Sequence, residues 1–313
     1  MNYSNGYIEE LNVGKDFIKS NLEKVLRLLD VLSYISKELD PNQSMLVLKG
    51  GTALNLAFTN LARLSVDIDL DYIGSLDKEK TIQDRNLIMS ALDNYMRGEG
   101  YQVSIKSRES AILASRTYAY TNAFGNRDNI KVEINFIDRI HVLSEISRRI
   151  NIFDKDVMIQ TPSMPELFGM KICALIDRYK PRDLYDVKRI FDNASSMNLN
   201  EIRKCAIFYL SLDGIFDISD GIFAGINSIK QEDIKKELLP VLSKNERFDL
   251  NKAKQETIKA LKNLFLLTDN EKMYLKEFAN GNYKPELLFE SNEIANRILL
   301  HPMAKWRISI TNK

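Results

Sequence analysis

The chain contains few of the residues from which zinc sites and disulfide frameworks are built. Its 313 residues include two cysteines, Cys173 and Cys205, and two histidines, His141 and His301. The cysteines lie far apart in apolar, helix-like segments, which excludes a disulfide framework and a cysteine-rich zinc site and fits a reducing compartment. Any bound metal would need carboxylate ligands, and these favour magnesium or manganese.

Chain-breaking residues and net charge are also scarce. The sequence has 13 glycines and 7 prolines, a low count that favours long helices. Its 44 basic residues almost balance its 43 acidic ones, so any contact with nucleic acid would need a local basic patch. No apolar run approaches the ~20 residues that span a bilayer, and the N-terminus lacks a signal-peptide pattern. We therefore expect a cytoplasmic protein without membrane contact.

Apolar spacing divides the chain into a mixed first part and a helical second part. Strand candidates are 45–48, 66–73, 101–108, 111–121 and 130–137. Helical spacing predicts helices over 15–38, 53–61, 78–97, 163–179, 183–193, 201–211, 231–242, 252–267 and 291–300. No strand is indicated after Asn198, so we predict one domain over residues 1–195 and a second, helical one over 196–313.

Two of these helices begin with capping signals. Ser163 and Glu166 have the spacing of a capping box, in which each side chain bonds the backbone of the other. Asp183, which follows Pro181, stands where the N-cap residue of the next helix is expected.

The most informative feature is a double glycine followed by paired aspartates. Gly50, Gly51 and Thr52 follow a short strand. Because the two glycines have no side chains, their backbone N–H groups can closely approach a phosphate. Asp67 and Asp69 project from one face of a strand and repel each other unless a divalent cation neutralises them. Paired aspartates alone would be explained by a solvated strand face, but the combination favours a site for a triphosphate and magnesium ions.

Two further carboxylates are candidates beside this pair. Asp71 shares its face and is either a third acid or a solvated strand end. Glu133 lies on an alternating strand whose apolar residues face the core. If that strand neighbours the Asp67 strand, Glu133 is a metal ligand or a general base; otherwise it belongs to a polar sheet face.

Basic residues complete the predicted site. Lys171 and Arg178 lie seven residues apart on the inward side of a helix, where they need an anionic partner. That partner is either the triphosphate or a structural carboxylate. Arg63 and Ser65, just before the aspartate strand, are phosphate-binding candidates, although Arg63 would also fit an ion pair with a nearby acid. Arg182 would belong to a basic rim for RNA or phosphate, or else to a solvated turn.

These motifs resemble the AbiEii-type nucleotidyltransferases of the DNA polymerase β-type nucleotidyltransferase superfamily. The resemblance covers residues 45–192 and rests on Gly50-Gly51-Thr52, Arg63-x-Ser65-x-Asp67-Ile-Asp69, Lys171 and Pro181-Arg-Asp-Leu-Tyr-Asp186. It adds Asp183 as a catalytic residue. The fourteen residues between Thr52 and Asp67 exceed the superfamily's usual separation, and an extra helical turn before Arg63 would accommodate them.

The resemblance implies both a fold and an activity. The fold is an α/β (α+β) mixed sheet with flanking helices, followed by a C-terminal helical bundle domain. The activity is magnesium-dependent (alternatively manganese-dependent) transfer of a nucleoside monophosphate from a nucleoside triphosphate to an acceptor. Some members are similar to toxins that modify the 3′ end of tRNA and are neutralised by a cognate antitoxin. We therefore predict a toxin of a toxin–antitoxin or phage-defence system that acts on RNA.

Two other functions remain open at this point. The first is nucleotidyl transfer to a small molecule or a protein, which for a small molecule would favour an acidic acceptor pocket over a basic rim. The second is a non-catalytic member that binds a nucleotide or a partner protein. The intact Asp67 and Asp69 pair argues against the second, because a site without catalysis has no need of their repulsion.

Overall fold

The computed structural model describes residues 2–193 and 197–311. Contacts within the chain define unit 1, formed by Met1–Arg139, Glu145–Pro162 and Pro240–Glu246. They define unit 2 by Ile140–Ser144, Ser163–Leu239 and Arg247–Lys313. The predicted domain boundary between residues 195 and 196 lies outside the described residues. Both helices predicted just before it belong to unit 2.

Unit 1 is built on an eight-stranded mixed sheet. Its strands are β1 (Leu46–Leu48), β2 (Asp67–Tyr72), β3 (Gln102–Val103), β4 (Arg108–Glu109), β5 (Leu113–Thr121), β6 (Arg127–Asn135), β7 (Ile146–Ile152) and β8 (Lys155–Thr161). The strand order is β3-β5-β6-β2-β1-β8-β7, and β4 also pairs with β5. β2 is parallel to β6 and β1 to β8, and the other pairs are antiparallel. The predicted mixed sheet is confirmed.

The sheet forms where apolar and polar residues alternate. Ile68 and Leu70 of β2 are fully buried, whereas Asp67 and Asp69 on the opposite face are half-buried. β6 follows the same pattern, and its register places Glu133 directly beside Asp69. Paired residues of adjacent strands share a face. The two strands therefore present their acidic residues together.

The β7–β8 hairpin is absent from the strands predicted by sequence. Its turn is formed by Phe153 and Asp154, both in the left-handed region with φ of 54° and 58°. Asn-Gly or Asp-Gly is the usual signal for such a turn, so Phe-Asp gives no recognisable one. The strand predicted at 101–108 is also broken, because only its two ends pair with β5 as β3 and β4.

Four helices accompany the sheet in unit 1. They are α1 (Asn5–Asn12), α2 (Lys19–Tyr34), α3 (Gly50–Ala53) and α4 (Lys78–Gly98). α2 contacts β6 and β8, and its apolar stripe is buried as the helical spacing predicts. α3 continues into a π-helical segment, Leu54–Phe58, after which Asn60 and Leu61 adopt left-handed conformations. This wider turn accommodates the long separation between the glycines and Asp67.

The described residues of unit 2 form helices and their connections and contain no strand. Its helices are α5 (Met164–Arg178), α6 (Pro181–Asp192), α7 (Leu199–Leu212), α8 (Asp220–Ala224), α9 (Gln231–Asp233), α10 (Leu250–Leu264), α11 (Asp269–Ala279), α12 (Asn292–Ile298) and α13 (Pro302–Thr311). The helix predicted at 231–242 is instead a short α-helical turn followed by a π-helical segment, Ile234–Leu238, and a 3₁₀ turn, Leu239–Val241, which contains Pro240. α5 and α7 pack closely at Gly169, where a Cβ would lie 2.8 Å from the Ala206 nitrogen.

Both predicted capping arrangements are wrong. Ser163 is the N-cap of α5, but its side chain makes no capping bond. The Glu166 carboxylate is fully buried and instead accepts hydrogen bonds from the amides of Val142 and Leu143 and from the Tyr209 hydroxyl. Burial raises the pKa of Glu166 despite these donors. The Glu166 carboxylate is thus bound by residues distant in the sequence instead of by the backbone of Ser163.

In the second case α6 begins one turn earlier than predicted. Its first residue is Pro181 and its N-cap is Lys180, so Asp183 occupies the third helical position. Proline is well suited to the first position of a helix, because its fixed φ is helical and its missing amide hydrogen has no partner there. Searched over the described residues, the helices include none that is long and apolar enough to cross a membrane.

Candidate active site

The glycine turn lies directly against the first acidic residues of β2. Gly50 has a φ of +69°, a conformation that favours glycine. A Cβ at this position would lie 2.7 Å from Oδ2 of Asp69. The amide of the preceding residue, Lys49, donates to the Asp69 carbonyl oxygen at 2.9 Å. The absence of a side chain at Gly50 therefore leaves room for the Asp69 carboxylate.

The next residues of the turn pack on the segment that precedes β2. A Cβ on Gly51 would lie 2.7 Å from Nη2 of Arg63 and 3.1 Å from the Ser65 hydroxyl. The buried Thr52 hydroxyl donates to the Asp67 carbonyl oxygen and lies 2.9 Å from the Ser65 hydroxyl. Arg63 is also buried and donates to the Leu64 carbonyl oxygen at 2.9 Å. The contacts of Thr52, Arg63 and Ser65 therefore hold the turn against the segment that precedes β2.

A lysine side chain lies on the same sheet face as these acidic residues. In the parallel register Asp67 lies beside Lys131 and Asp69 beside Glu133. The Lys131 ammonium donates to Glu133 Oε2 at 2.6 Å. Within the described part of the chain, the half-buried Asp67 carboxylate has neither a hydrogen bond nor an ion pair. The structure thus brings Asp67, Asp69 and Glu133 onto one face, as the sequence predicts.

The structure excludes one of the two alternatives considered from sequence for Asp71. Its side chain is 0% exposed, so it is not a solvated strand end, and its Oδ1 lies 2.5 Å from the Lys49 ammonium. Burial alone would lower the pKa of Lys49, but the carboxylates of Asp71 and Asp138 raise it above its ordinary value. Lys49 is therefore a cation held within the acidic group.

The donor chemistry of this face fits a divalent metal ion. Carboxylate oxygens are the ligands that magnesium and manganese prefer, and Asp67 and Asp69 offer two on adjacent same-face positions. In residues 2–193 and 197–311, no three histidine, cysteine, aspartate or glutamate side chains converge closely enough to hold a metal. The remaining ligands would therefore come from the nucleotide and water.

A second charged cluster is formed by α5 and α6 in unit 2. The Lys171 ammonium lies 2.8 Å from Oδ1 of Asp183 and 2.9 Å from Oδ2 of Asp186. All three side chains are almost completely buried. Lys171 thus points inward and has anionic partners, as its position on the helix predicts. Its partners are these two aspartates.

Arg178 joins the same cluster from its outer side. It donates to both oxygens of Asp183, at 2.7 and 3.0 Å, while its side chain stays 54% exposed. The inward position predicted for Arg178 is therefore wrong. Burial would raise the pKa of Asp183, but Lys171 and Arg178 together hold it far below its usual range. Arg182 donates to the Glu237 carbonyl oxygen at 2.8 Å, so the turn around it is not simply solvated.

Three residues that the sequence analysis left without a role contribute to these clusters. Lys49 and Lys131 neutralise acidic residues of unit 1, and Asp186 shares Lys171 with Asp183 in unit 2. Asp186 lies three residues from Asp183, on the same helix face, which is a signal that could have been used. Lys49 directly precedes the double glycine, but its partner is defined only by the β1–β2 register.

Comparison with known proteins agrees with these features. Residues 35–279 match the family described as "Nucleotidyl transferase AbiEii toxin, Type IV TA system". None of the curated proteins matches the chain. The solved structure of MenT4, a nucleotidyltransferase toxin from Mycobacterium tuberculosis H37Rv, aligns with a TM-score of 0.66 and 12% identity over 99% of each chain.

The two findings support different statements. At 12% identity the likeness to MenT4 shows a shared fold, a mixed α/β sheet followed by helices. The family match covers well over half of the sequence and includes the glycine turn, the acidic strands and the Lys171 cluster. Members of this family are nucleotidyltransferases. The chain belongs to the AbiEii family of nucleotidyltransferase toxins of type IV toxin–antitoxin systems.

Proposed function

We propose that this chain transfers a nucleoside monophosphate from a nucleoside triphosphate to the 3′ end of an RNA, with tRNA as the expected acceptor. The observation that carries the proposal is the contact between the glycine turn and the acidic strand. A Cβ at Gly50 would lie 2.7 Å from Asp69 Oδ2, so a glycine allows the turn to lie directly against this carboxylate. A triphosphate at the turn would then lie close to a cation bound by Asp69, since the turn's bare amides suit phosphate oxygens.

The acidic residues of unit 1 are assigned to metal binding. Asp67 and Asp69 would hold magnesium, or manganese in its place, and nucleotidyltransferases of this kind use divalent ions. When bound, such an ion supplies charge stabilisation for the transferring phosphoryl group. The exposed side of the Asp67 carboxylate supports this assignment, because no protein cation among the described residues neutralises it.

Glu133 is proposed as the base that accepts the proton of the attacking hydroxyl, or as a third ligand whose side chain would move closer to Asp67 and Asp69 when a metal ion binds, since the three do not converge among the described residues. Its register beside Asp69 places it on the correct face. The Lys131 ammonium, which lies 2.6 Å from Glu133 Oε2, would share this carboxylate with a bound metal ion or with the attacking hydroxyl. Gly50, Gly51 and Thr52 would contact the triphosphate, with the Thr52 contribution coming from its amide because its hydroxyl is engaged.

Basic and acidic residues outside the glycine turn complete the proposal. Lys171 would stabilise charge that develops in the transition state, and Asp183 would act beside it. Arg178 and Arg182 would bind the nucleotide, as would Arg63 and Ser65 if the turn opens on binding. The half-exposed Arg178 side chain supports this most directly, because part of its guanidinium is accessible.

The acceptor and the partner are inferred from the family. A type IV toxin–antitoxin system contains a cognate antitoxin, so we propose one for this chain. The RNA acceptor rests on the similarity to toxins that modify tRNA. Transfer to a small molecule or a protein is the competing proposal.

The experiment that tests this function uses four α-labelled nucleoside triphosphates, magnesium and total RNA. We expect label in tRNA-sized species, and loss of the label when the tRNA 3′ ends are first oxidised with periodate. Label that survives periodate would contradict a 3′ acceptor. Label in protein or in small molecules, with none in RNA, would favour the competing proposal.

A further inference from the structure

Lys49 connects the glycine turn to the acidic strand through two separate bonds. Its amide donates to the Asp69 carbonyl oxygen at 2.9 Å, and its ammonium lies 2.5 Å from Oδ1 of Asp71. The two acceptors lie two residues apart on β2, on either side of a core residue. Lys49 thus holds the start of the glycine turn beside Asp69.

The ion pair is well protected from water. Asp71 is fully buried and the Lys49 side chain is 23% exposed. Removing one member of such a pair leaves an uncompensated buried charge, so the ammonium is firmly held. Asp71 shares the face of Asp69, but its bond to Lys49 engages it within the protein.

Thr52, Arg63 and Ser65 hold the later part of the turn, whereas the strand that leads into it is short. β1 has only three residues, which pair with β2, and its parallel pairing with β8 involves Val47. Gly50, the next residue after Lys49, has no side chain with which to anchor itself. Yet the turn must be placed accurately, because Gly50 lies against the Asp69 carboxylate.

We propose that Lys49 is a positioning residue for the metal site: its bonds to Asp69 and Asp71 hold the Gly50 turn so that Asp69 faces the metal. This inference rests on the proposed function, since it assumes that Asp69 binds a divalent ion. Residues that orient metal ligands change metal affinity by about 10- to 100-fold when they are replaced.

The positioning role and simple electrostatics predict opposite results. Removing a positive charge beside Asp69 would by itself strengthen cation binding, and a released Asp71 would add a further ligand. Loss of positioning would weaken binding, because Asp69 would lose its orientation. The sign of the change in metal affinity therefore distinguishes the two.

The test is titration of the intact protein with Mn²⁺, followed by electron paramagnetic resonance, for Lys49→Met and for Lys49→Met combined with Asp71→Leu. The double variant removes both charges and keeps the test valid if the single variant does not fold. We expect the Mn²⁺ dissociation constant to rise about tenfold or more in both. An unchanged or lower constant in the folded variants would overturn the inference, as would recovery of wild-type affinity in the double variant.

Lys155→Met provides the matched control. Lys155 forms an ion pair of 2.6 Å with Asp30, and its side chain is as shielded as that of Lys49, but it belongs to β8. We expect it to leave Mn²⁺ affinity unchanged; an equal loss in this control would overturn a specific role for Lys49.

Asp69→Asn, titrated in parallel, separates the two proposals. If Asp69→Asn binds Mn²⁺ as well as wild type, the metal assignment itself is wrong. If Asp69→Asn loses binding while the Lys49 variants keep it, only the positioning role fails.

Discussion

At the scale of single residues, the proposed metal site depends on a missing side chain at Gly50 and on the ion pair of Lys49. Gly50 lets the turn lie against the Asp69 carboxylate, and Lys49 forms an ion pair with the buried Asp71. Of the four carboxylates on this face, Asp67, Asp69 and Glu133 are half-buried, whereas Asp71 is fully buried. The three half-buried residues are the ones assigned to the proposed metal site.

Gly50→Ala tests the close approach of the glycine turn to Asp69. The new methyl group would collide with the Asp69 carboxylate, and the left-handed backbone would add strain of about 1–2 kcal/mol. We expect nucleotidyl transfer to fall about tenfold or more, by analogy with other groups that orient metal ligands. Initial rates at saturating triphosphate, together with urea unfolding curves, would measure the two effects.

Gly125→Ala is the control for the backbone strain. Gly125 has a similar φ of +77°, but a Cβ there meets nothing within 4 Å. It should lose comparable stability and retain activity. Equal activity of the two variants would show that the close approach of the turn to Asp69 has no catalytic importance.

At this scale the sequence predicts the acidic residues well and their partners poorly. Alternation along β2 places Asp67 and Asp69 on one face, which the structure confirms. The bond between Lys49 and Asp71 depends on the antiparallel register of β1 and β2, which no local pattern specifies. For Arg178 the helical wheel fails because a long side chain near the helix end can extend along the surface.

At the scale of secondary structure, the positions of α5 and α6 explain how the Lys171 cluster forms. α5 presents Lys171 toward the first two turns of α6, where Asp183 in the first turn and Asp186 in the second lie on one face. Acidic residues in a first turn also interact favourably with the helix dipole. Asp183, Asp186 and Lys171 are buried, and the half-exposed Arg178 supplies the second positive charge that balances the two carboxylates.

This cluster predicts how stability changes with pH. Because Lys171 and Arg178 lower the folded-state pKa of Asp183, its ionisation stabilises the fold fully above the unfolded-state pKa near 3.9. That contribution is lost as the pH falls through the lower, folded value. The difference in unfolding free energy between wild type and Asp183→Asn should therefore be largest near neutral pH and shrink below about pH 4.

Urea unfolding between neutral pH and about pH 3 would measure this difference. Asp156→Asn is a suitable control, because Asp156 binds Arg149 through two bonds on the exposed surface. Solvent screening should make its effect small at every pH. A difference for Asp183→Asn that stays constant on acidification would contradict the proposed ion pairs.

Elements with strong periodicity are the ones that sequence predicts. α2, α4 and the central strands follow their apolar patterns closely. The β7–β8 hairpin is missed because its turn residues, Phe153 and Asp154, are unusual for a left-handed turn. The start of α6 is misplaced because the sequence offers both Pro181 and Asp183 as initiation signals, and proline takes the first position.

Over the whole chain, the two units are interleaved in sequence. Residues 240–246 return to unit 1, where the Val241 carbonyl accepts from the Leu64 amide and the Pro240 carbonyl from Asn21. Residues 140–144 join unit 2, where Val142 and Leu143 bind Glu166. The apolar spacing of the sequence predicts one mixed and one helical part. It does not predict that residues 140–144 and 240–246 join the other unit, because this depends on hydrogen bonds between residues far apart in the sequence.

The most direct test of the account compares the transfer of label from α-labelled and γ-labelled nucleoside triphosphates with magnesium and RNA. Nucleotidyl transfer moves the α-phosphate and releases the γ-phosphate, so only the α label should appear in RNA. Asp69→Asn should abolish the signal, by at least about 100-fold, with its fold intact, and Asp156→Asn should keep it. Transfer of the γ label, or full activity in a folded Asp69→Asn variant, would contradict the account.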